Sequence, residues 1–141
     1  MKKITCIVLC LFVMGLPMIA CDCNKPLREK MLKYYSDDSV YCNLHGEIKE
    51  KRNRYVEIEI FTENHTFVSR LASGYVAFII YGSSCIEKIE VGDVIDFISA
   101  PMCFYNGHYM PIVYLEKEQE VLLSFEEGKT NYLNWINDTF K

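Results

Sequence analysis

Hydrophobic and polar positions change their period three times along this chain. An apolar stretch from Ile4 to Met14 follows Lys2 and Lys3 and runs into Gly15, Pro17 and the small Ala20. That is the layout of a secretory signal, residues 1 to 20, with cleavage after Ala20. A membrane span would need about 20 apolar residues without such a cleavage signal. After Pro26 the stretch LREKMLKYY places Leu27, Met31 and Tyr34 or Tyr35 at helical spacing with charges between them, predicting a short amphipathic helix over 26–35 that SDDS at 36–39 ends.

From Val40 the period drops to two. Val40, Cys42, Leu44, Gly46 and Ile48 alternate with Tyr41, Asn43, His45 and Glu47, the pattern of a half-buried strand. KEKRN at 49–53 reads as a hairpin connection to RYVEIEIFT, where Val56, Ile58 and Ile60 share one face and Glu57 and Glu59 the other. YVAFIIYG at 75–82 is apolar on both faces, as a central strand is, and GSSC turns it. DVIDFISA at 93–100 alternates again. HYMPIVYL after the Asn106-Gly107 turn signal gives a fifth strand, with Pro111 pointing to an edge or a bulge. Leu133, Ile136 and Phe140 at i, i+3 and i+7 predict a closing amphipathic helix.

Five strands with a helix at each end predict a mostly-β fold, a small five-stranded Greek-key barrel of the OB type, which manages its sheet edges by closure. A β-sandwich would usually want more strands. Residues 21–141 contain no repeat, Pro-rich linker or low-complexity tract, and their length suits one domain.

Charge narrows the partners. Residues 1 to 20 hold two of the 15 basic residues and none of the 19 acidic ones, so the net charge of −4 becomes −6 after cleavage. The charges are dispersed, which argues against a phosphate-binding surface and so against nucleic acid.

Candidate catalytic groups are sparse. His45, His65 and His108 form no H-E-x-x-H and no zinc-finger spacing with cysteine, so no metal site of the chain's own is expected, nor any cofactor. Cys103 with His108 could suggest a thiol and its base, but in an exported chain a disulfide half is the commoner use. Glu57 and Glu59 would lie about 7 Å apart on one strand face, a separation compatible with paired-carboxylate hydrolysis; alternating charges are more commonly a wet face. The aromatic residues of YVAFIIYG and FYNGHYM could line a face that stacks sugars or bases, or fill the core. NHT at 64–66 and NDT at 137–139 match the glycosylation sequon. The expectation is a non-enzymatic protein.

Five cysteines remain after cleavage: Cys21, Cys23, Cys42, Cys85 and Cys103. In an exported chain wide spacing favours disulfides, and an odd count leaves one cysteine unpaired or modified. Cys21 has three readings. It is a disulfide anchor, or a lipidated residue within MIAC that ties the protein to a membrane, or a free N-terminus. Lipidation would leave Cys23, Cys42, Cys85 and Cys103, an even set that can pair completely.

The mature start CDC at 21–23, VYCNLHGEIKE at 40–50, YVEIEIF at 55–61, the turn cysteine in YGSSCIEKIEVGDVIDFISA at 81–100, and Cys103 together resemble the netrin-like module and, within it, the tissue inhibitors of metalloproteinases. The resemblance covers roughly residues 21 to 115. It implies that Cys21 pairs with Cys85 and Cys23 with Cys103, long loops each worth on the order of 4 kcal/mol by chain entropy. Cys42 is then the odd thiol, on the Val40/Leu44 face. In that family the free α-amine and carbonyl of the first cysteine chelate the target protease's zinc, and the next residue, here Asp22, enters its specificity pocket. The resemblance thus makes Cys21, Asp22 and Cys23 the partner-binding residues and a zinc metalloprotease, or another extracellular protein, the partner. The alternative is a lipid-anchored cell-envelope protein with a structural or ligand-holding role.

Overall fold

The computed structural model describes residues 25–61, 74–100 and 109–141. In chain order these hold helix α1 (Lys25–Ser36), a 3-10 turn (Asp38–Val40), strands β1 (Cys42–Lys51), β2 (Tyr55–Ile60) and β3 (Val76–Ile80), and a second 3-10 turn (Cys85–Lys88). Strands β4 (Val94–Ser99), β5 (Met110–Lys117) and β6 (Glu120–Leu123) and helix α2 (Phe125–Thr139) follow.

Ladders run in the order β3-β2-β1-β4-β5-β6, and a further pairing of β3 with β5 closes the first five strands into a barrel. That closing pair is parallel, with Phe78 opposite Met110 and Ile80 opposite Ile112, whereas every other pair is antiparallel. The predicted five-stranded OB-type barrel is therefore present. β6 is an addition, hung on the free side of β5.

The period-two alternation does what the sequence predicts. Leu44 and Ile48 of β1, Val56 and Ile58 of β2, Phe78 of β3, Ile95 and Phe97 of β4, and Ile112 and Leu115 of β5 belong to one buried core. Phe78 and Phe97 meet edge to face with ring centres 5.0 Å apart, the geometry that aromatic quadrupoles favour. Gly46 sits between Leu44 and Ile48 in the same phase, where a Cβ would come within 2.5 Å of the Glu59 carbonyl oxygen. Only a residue without a side chain lets β1 and β2 approach so closely there.

Pro111 is not on an edge. It stands opposite Ile79 at the start of β5, one residue before the β4 ladder begins at Ile112, so its missing N–H removes no bond on that side. The expected irregularity lies just beyond, where the β4–β5 register shifts between Ile98 and Ser99.

A second core lies outside the barrel wall. Met31 and Tyr35 of α1, Tyr132 and Ile136 of α2 and its C-cap Phe140 bury themselves with Val113 of β5 and Ala100 just past β4. The helices run antiparallel and are clasped at both ends. Arg28 donates to the Phe140 carbonyl at 3.2 Å, while Lys129 donates to the Ser36 carbonyl at 2.8 Å and pairs with Asp38. The Tyr41 hydroxyl donates to the Tyr35 carbonyl at 2.7 Å, satisfying one of the carbonyls that a helix end leaves open. Burial, with a smaller push from Asp38, raises the Tyr41 phenol well above the ordinary range.

Two features differ from the sequence expectation. α2 starts at Phe125, well before Leu133. Ser124 caps it by accepting from the Glu127 N–H at 3.3 Å, and Glu126 and Glu127 add favourable charge to the first turn. Its fourth residue, Gly128, is a helix breaker by propensity but is required by packing, because a Cβ there would lie 2.2 Å from the Val113 carbonyl oxygen. The extra strand β6 follows a turn at Glu118 and Gln119, both with positive φ (51° and 68°). That is a hairpin turn conformation that normally advertises itself by Asn or Gly.

Candidate functional site

Of the residues singled out from the sequence, Cys21, Asp22, Cys23, Cys103, His65 and His108 lie outside the described residues, as do the NHT sequon and the Asn106-Gly107 turn. The structure therefore neither joins nor separates the pairs Cys21–Cys85 and Cys23–Cys103.

Cys85 opens the 3-10 turn after β3 and is 2 % exposed, packed with Ile86 and Ile89 into the barrel core. Burial pushes its thiol up; the hydrogen bond from Ser83 pulls the other way and does not offset it. A thiol in that state is a poor nucleophile. Cys42 begins β1 opposite Ser99 of β4, half-buried and packed against the same core as Leu44, whereas Val40, expected on that face, ends the first 3-10 turn and packs against the outer core. Neither Cys42 nor Cys85 is bonded to another described cysteine.

The carboxylate pair of β2 is not evenly wet, contrary to the alternation reading. Glu57, between β1 and β3, is 8 % exposed, whereas Glu59 is open to solvent. Lys49 lies between Glu59 and Glu47, at 2.9 and 3.0 Å, and takes up the charge of both. His45 places Nδ1 2.8 Å from the Asp96 carboxylate across the β1–β4 ladder and its ring against Phe61, on an exposed face. Among the described residues no three of His, Cys, Asp and Glu gather as metal ligands, and no helix is long and apolar enough to cross a membrane. NDT closes α2 on its exposed side.

A concavity to which several elements contribute lies elsewhere, between α2 and the end of the barrel. The β1–β2 turn brings Asn53 and Arg54, the end of β3 and its loop bring Ile80 to Ser83, the 3-10 turn brings Ile86, and α2 brings Asn131, Asn134, Trp135 and Asp138. It encloses about 440 Å³. Gly82 lets the loop lie against the helix. Its φ of +63° suits glycine, and a Cβ would come within 2.9 Å of Asn131. Asn131 Nδ2 donates to the Gly82 carbonyl at 3.4 Å, and the Ile80 N–H donates to the Arg54 carbonyl at 3.1 Å, tying three elements together.

Rings stiffen one wall. Tyr81 lies 4.5 Å from Trp135 at an interplanar angle of 35°, and Tyr132 stacks parallel to Trp135 at 5.7 Å. Phe140 meets the Trp135 ring edge-on at 5.8 Å. Of the aromatic residues in YVAFIIYG, then, Phe78 is core and Tyr81 is wall. The α2 residues carried a signal in the sequence that the apolar stripe alone does not use. Asn131, Asn134, Trp135 and Asp138 recur at i, i+3, i+4 and i+7, one continuous face of a helix.

Comparison of the chain with family models, curated proteins and solved structures finds no match. The resemblance to the netrin-like module accordingly rests on the quoted residues alone, and no family is assigned.

Proposed function

We propose that residues 21–141 form an exported, non-enzymatic binding module. Cys21, set free by cleavage after Ala20, offers its α-amine and main-chain carbonyl to the catalytic zinc of a metalloprotease, and Asp22 is the first residue to meet the protease. The observation that supports this best is the anchoring of α1. Cys21 is four residues from a helix whose Met31 and Tyr35 are fully buried and whose two ends are clasped to α2. A ligand tied to a fixed element would lose less freedom on binding than one on a long tether. Disulfides Cys21–Cys85 and Cys23–Cys103 would fix it further, and Cys85 belongs to the rigid barrel core. A catalytic zinc keeps an open position for nitrogen and oxygen ligands, and an α-amine of pKa about 8 gives up its proton to a metal readily.

A second reading follows from the cysteine count. Acylation of Cys21 would leave four cysteines that can pair completely and would make the module a lipid-anchored envelope protein. Intact mass and N-terminal analysis of the exported protein separate the two. An unmodified Cys21, with peptide mapping that joins it to Cys85, is the expected result. Inhibition of zinc proteases should then vanish when one alanine is added before Cys21, because the amine is displaced. An acylated Cys21, or no inhibition by the unextended protein, refutes the chelating mechanism.

A further inference from the structure

We propose that the groove between α2 and the β1–β2 turn is a binding site for a neutral carbohydrate of one or two sugar rings. The site is independent of Cys21. Its volume of about 440 Å³ falls in the range of small-molecule sites, roughly 300–1,000 Å³. Its lining is graded in polarity. The floor is buried and aliphatic, Ile80 and Ile86; the wall is half-buried and aromatic, Tyr81 and Trp135; and the rim is polar, half-buried at Ser83 and Asn131 and exposed elsewhere.

That gradient matches a pyranose, which is apolar across its C–H face and polar around its edge. The indole and phenol rings, inclined to each other at 35°, supply an apolar wall against which that face can pack. Around it, the amides of Asn53, Asn131 and Asn134 each carry both donors and an acceptor, and the Ser83 hydroxyl carries one of each. Such mixed groups satisfy neighbouring sugar hydroxyls, which also donate and accept. The charges point the same way. Arg54 is opposed within the lining by Asp138, so the groove has no excess positive charge to select a phosphate or a carboxylate. A wholly apolar ligand would leave the hydrogen-bonding groups of the rim to water and gain nothing from them.

The wall is also pre-formed. Trp135 is held by Tyr81, Tyr132 and Phe140 before any ligand arrives, and the Asn131–Gly82 bond fixes the loop to the helix. Pre-organisation of this kind lowers the entropy lost on binding.

Trp135 is the only tryptophan in the chain, so its emission reports on the groove directly. The full mature protein is screened on a glycan array, and the neutral sugars retained are titrated against tryptophan emission and by calorimetry. We expect a saturable change with a dissociation constant of about 1 mM or tighter. Asn134→Ala and Arg54→Ala, both exposed and outside the cores, should each weaken binding about tenfold with unchanged melting temperature. Glu120→Ala, on β6, should leave it unchanged. Retention of no neutral glycan by the folded protein overturns the proposal. So does preference for an anionic ligand, or sugar binding that survives both groove substitutions.

Discussion

Gly128→Ala sets two physical effects against each other. On an isolated helix the change gains about 1 kcal/mol, because glycine loses more backbone entropy than alanine. In this protein the new Cβ would lie 2.2, 2.6 and 2.7 Å from the oxygen, carbon and Cα of Val113. Carbon atoms in contact prefer about 3.5–4.0 Å, so α2 must retreat from β5 by more than 1 Å. The obstacle is backbone, which cannot rotate aside like a side chain. Retreat loosens Val113, Tyr132 and Ile136, which share the outer core. Overpacking of a core costs about 1–3 kcal/mol, and a backbone clash belongs at the top of that range or above it. Setting the helix gain against this leaves a net loss of about 2 kcal/mol. For a chain of this size that lowers the melting temperature by about 8 °C. Urea unfolding of both proteins in the same redox state, followed by circular dichroism and Trp135 emission, measures it. A variant as stable as the parent, or more stable, would falsify the close crossing of α2 over β5.

Three further outcomes follow from the described contacts. Asp93 accepts from Lys117 and from the Glu90 N–H, both at 2.7 Å; partial burial pushes its carboxyl up, but these bonds outweigh it and hold the carboxyl below the ordinary range. Its contribution is therefore present above the unfolded value near pH 3.9 and lost as pH falls through the lower folded value. Asp93→Asn should cost about 1 kcal/mol at pH 7 and flatten the acid limb of a stability–pH profile, and parallel acid limbs would refute the assignment. Phe97→Ala, at the edge-to-face contact with Phe78 inside the barrel, should cost about 3–5 kcal/mol in chemical denaturation; a loss under 1 kcal/mol would mean the barrel interior is not packed as described. Tyr41→Phe removes the hydrogen bond to the Tyr35 carbonyl and should cost about 1 kcal/mol, read as a shift in urea midpoint without change in slope.

The barrel was readable because its strands are half-buried, and half-burial writes itself as alternation. Leu44 with Ile48, Val56 with Ile58 and Ile95 with Phe97 each place a strand and its inward face. β6 was not readable. It is four residues long, and its turn holds Glu118 and Gln119 in a conformation whose usual sequence markers are absent. The first half of α2 was hidden by Gly128, whose reason is a contact with a strand distant in sequence. Glu57 shows the same limit from another side. Alternation assigned it to solvent, but its burial is a property of the assembled fold. In the groove, the helical spacing of Asn131, Asn134, Trp135 and Asp138 can be seen in the chain, but the opposing Asn53, Arg54 and Tyr81 can be found only through the topology.

The parallel pairing of β3 with β5 has a consequence for how the molecule assembles. β1-β2-β3 and β4-β5-β6 are two meanders, each local in sequence, and neither hides an apolar face alone. Pairing β1 with β4 joins them into an open sheet. Only the seam between Phe78–Ile80 and Met110–Ile112 rolls that sheet into a tube, and no hairpin can template it. Until it seals, two short apolar edges stand unpaired, the kind of segment that recruits a second chain. Refolding yield should therefore fall steeply as protein concentration rises, while the finished barrel, with that seam closed, offers neither edge to a neighbour.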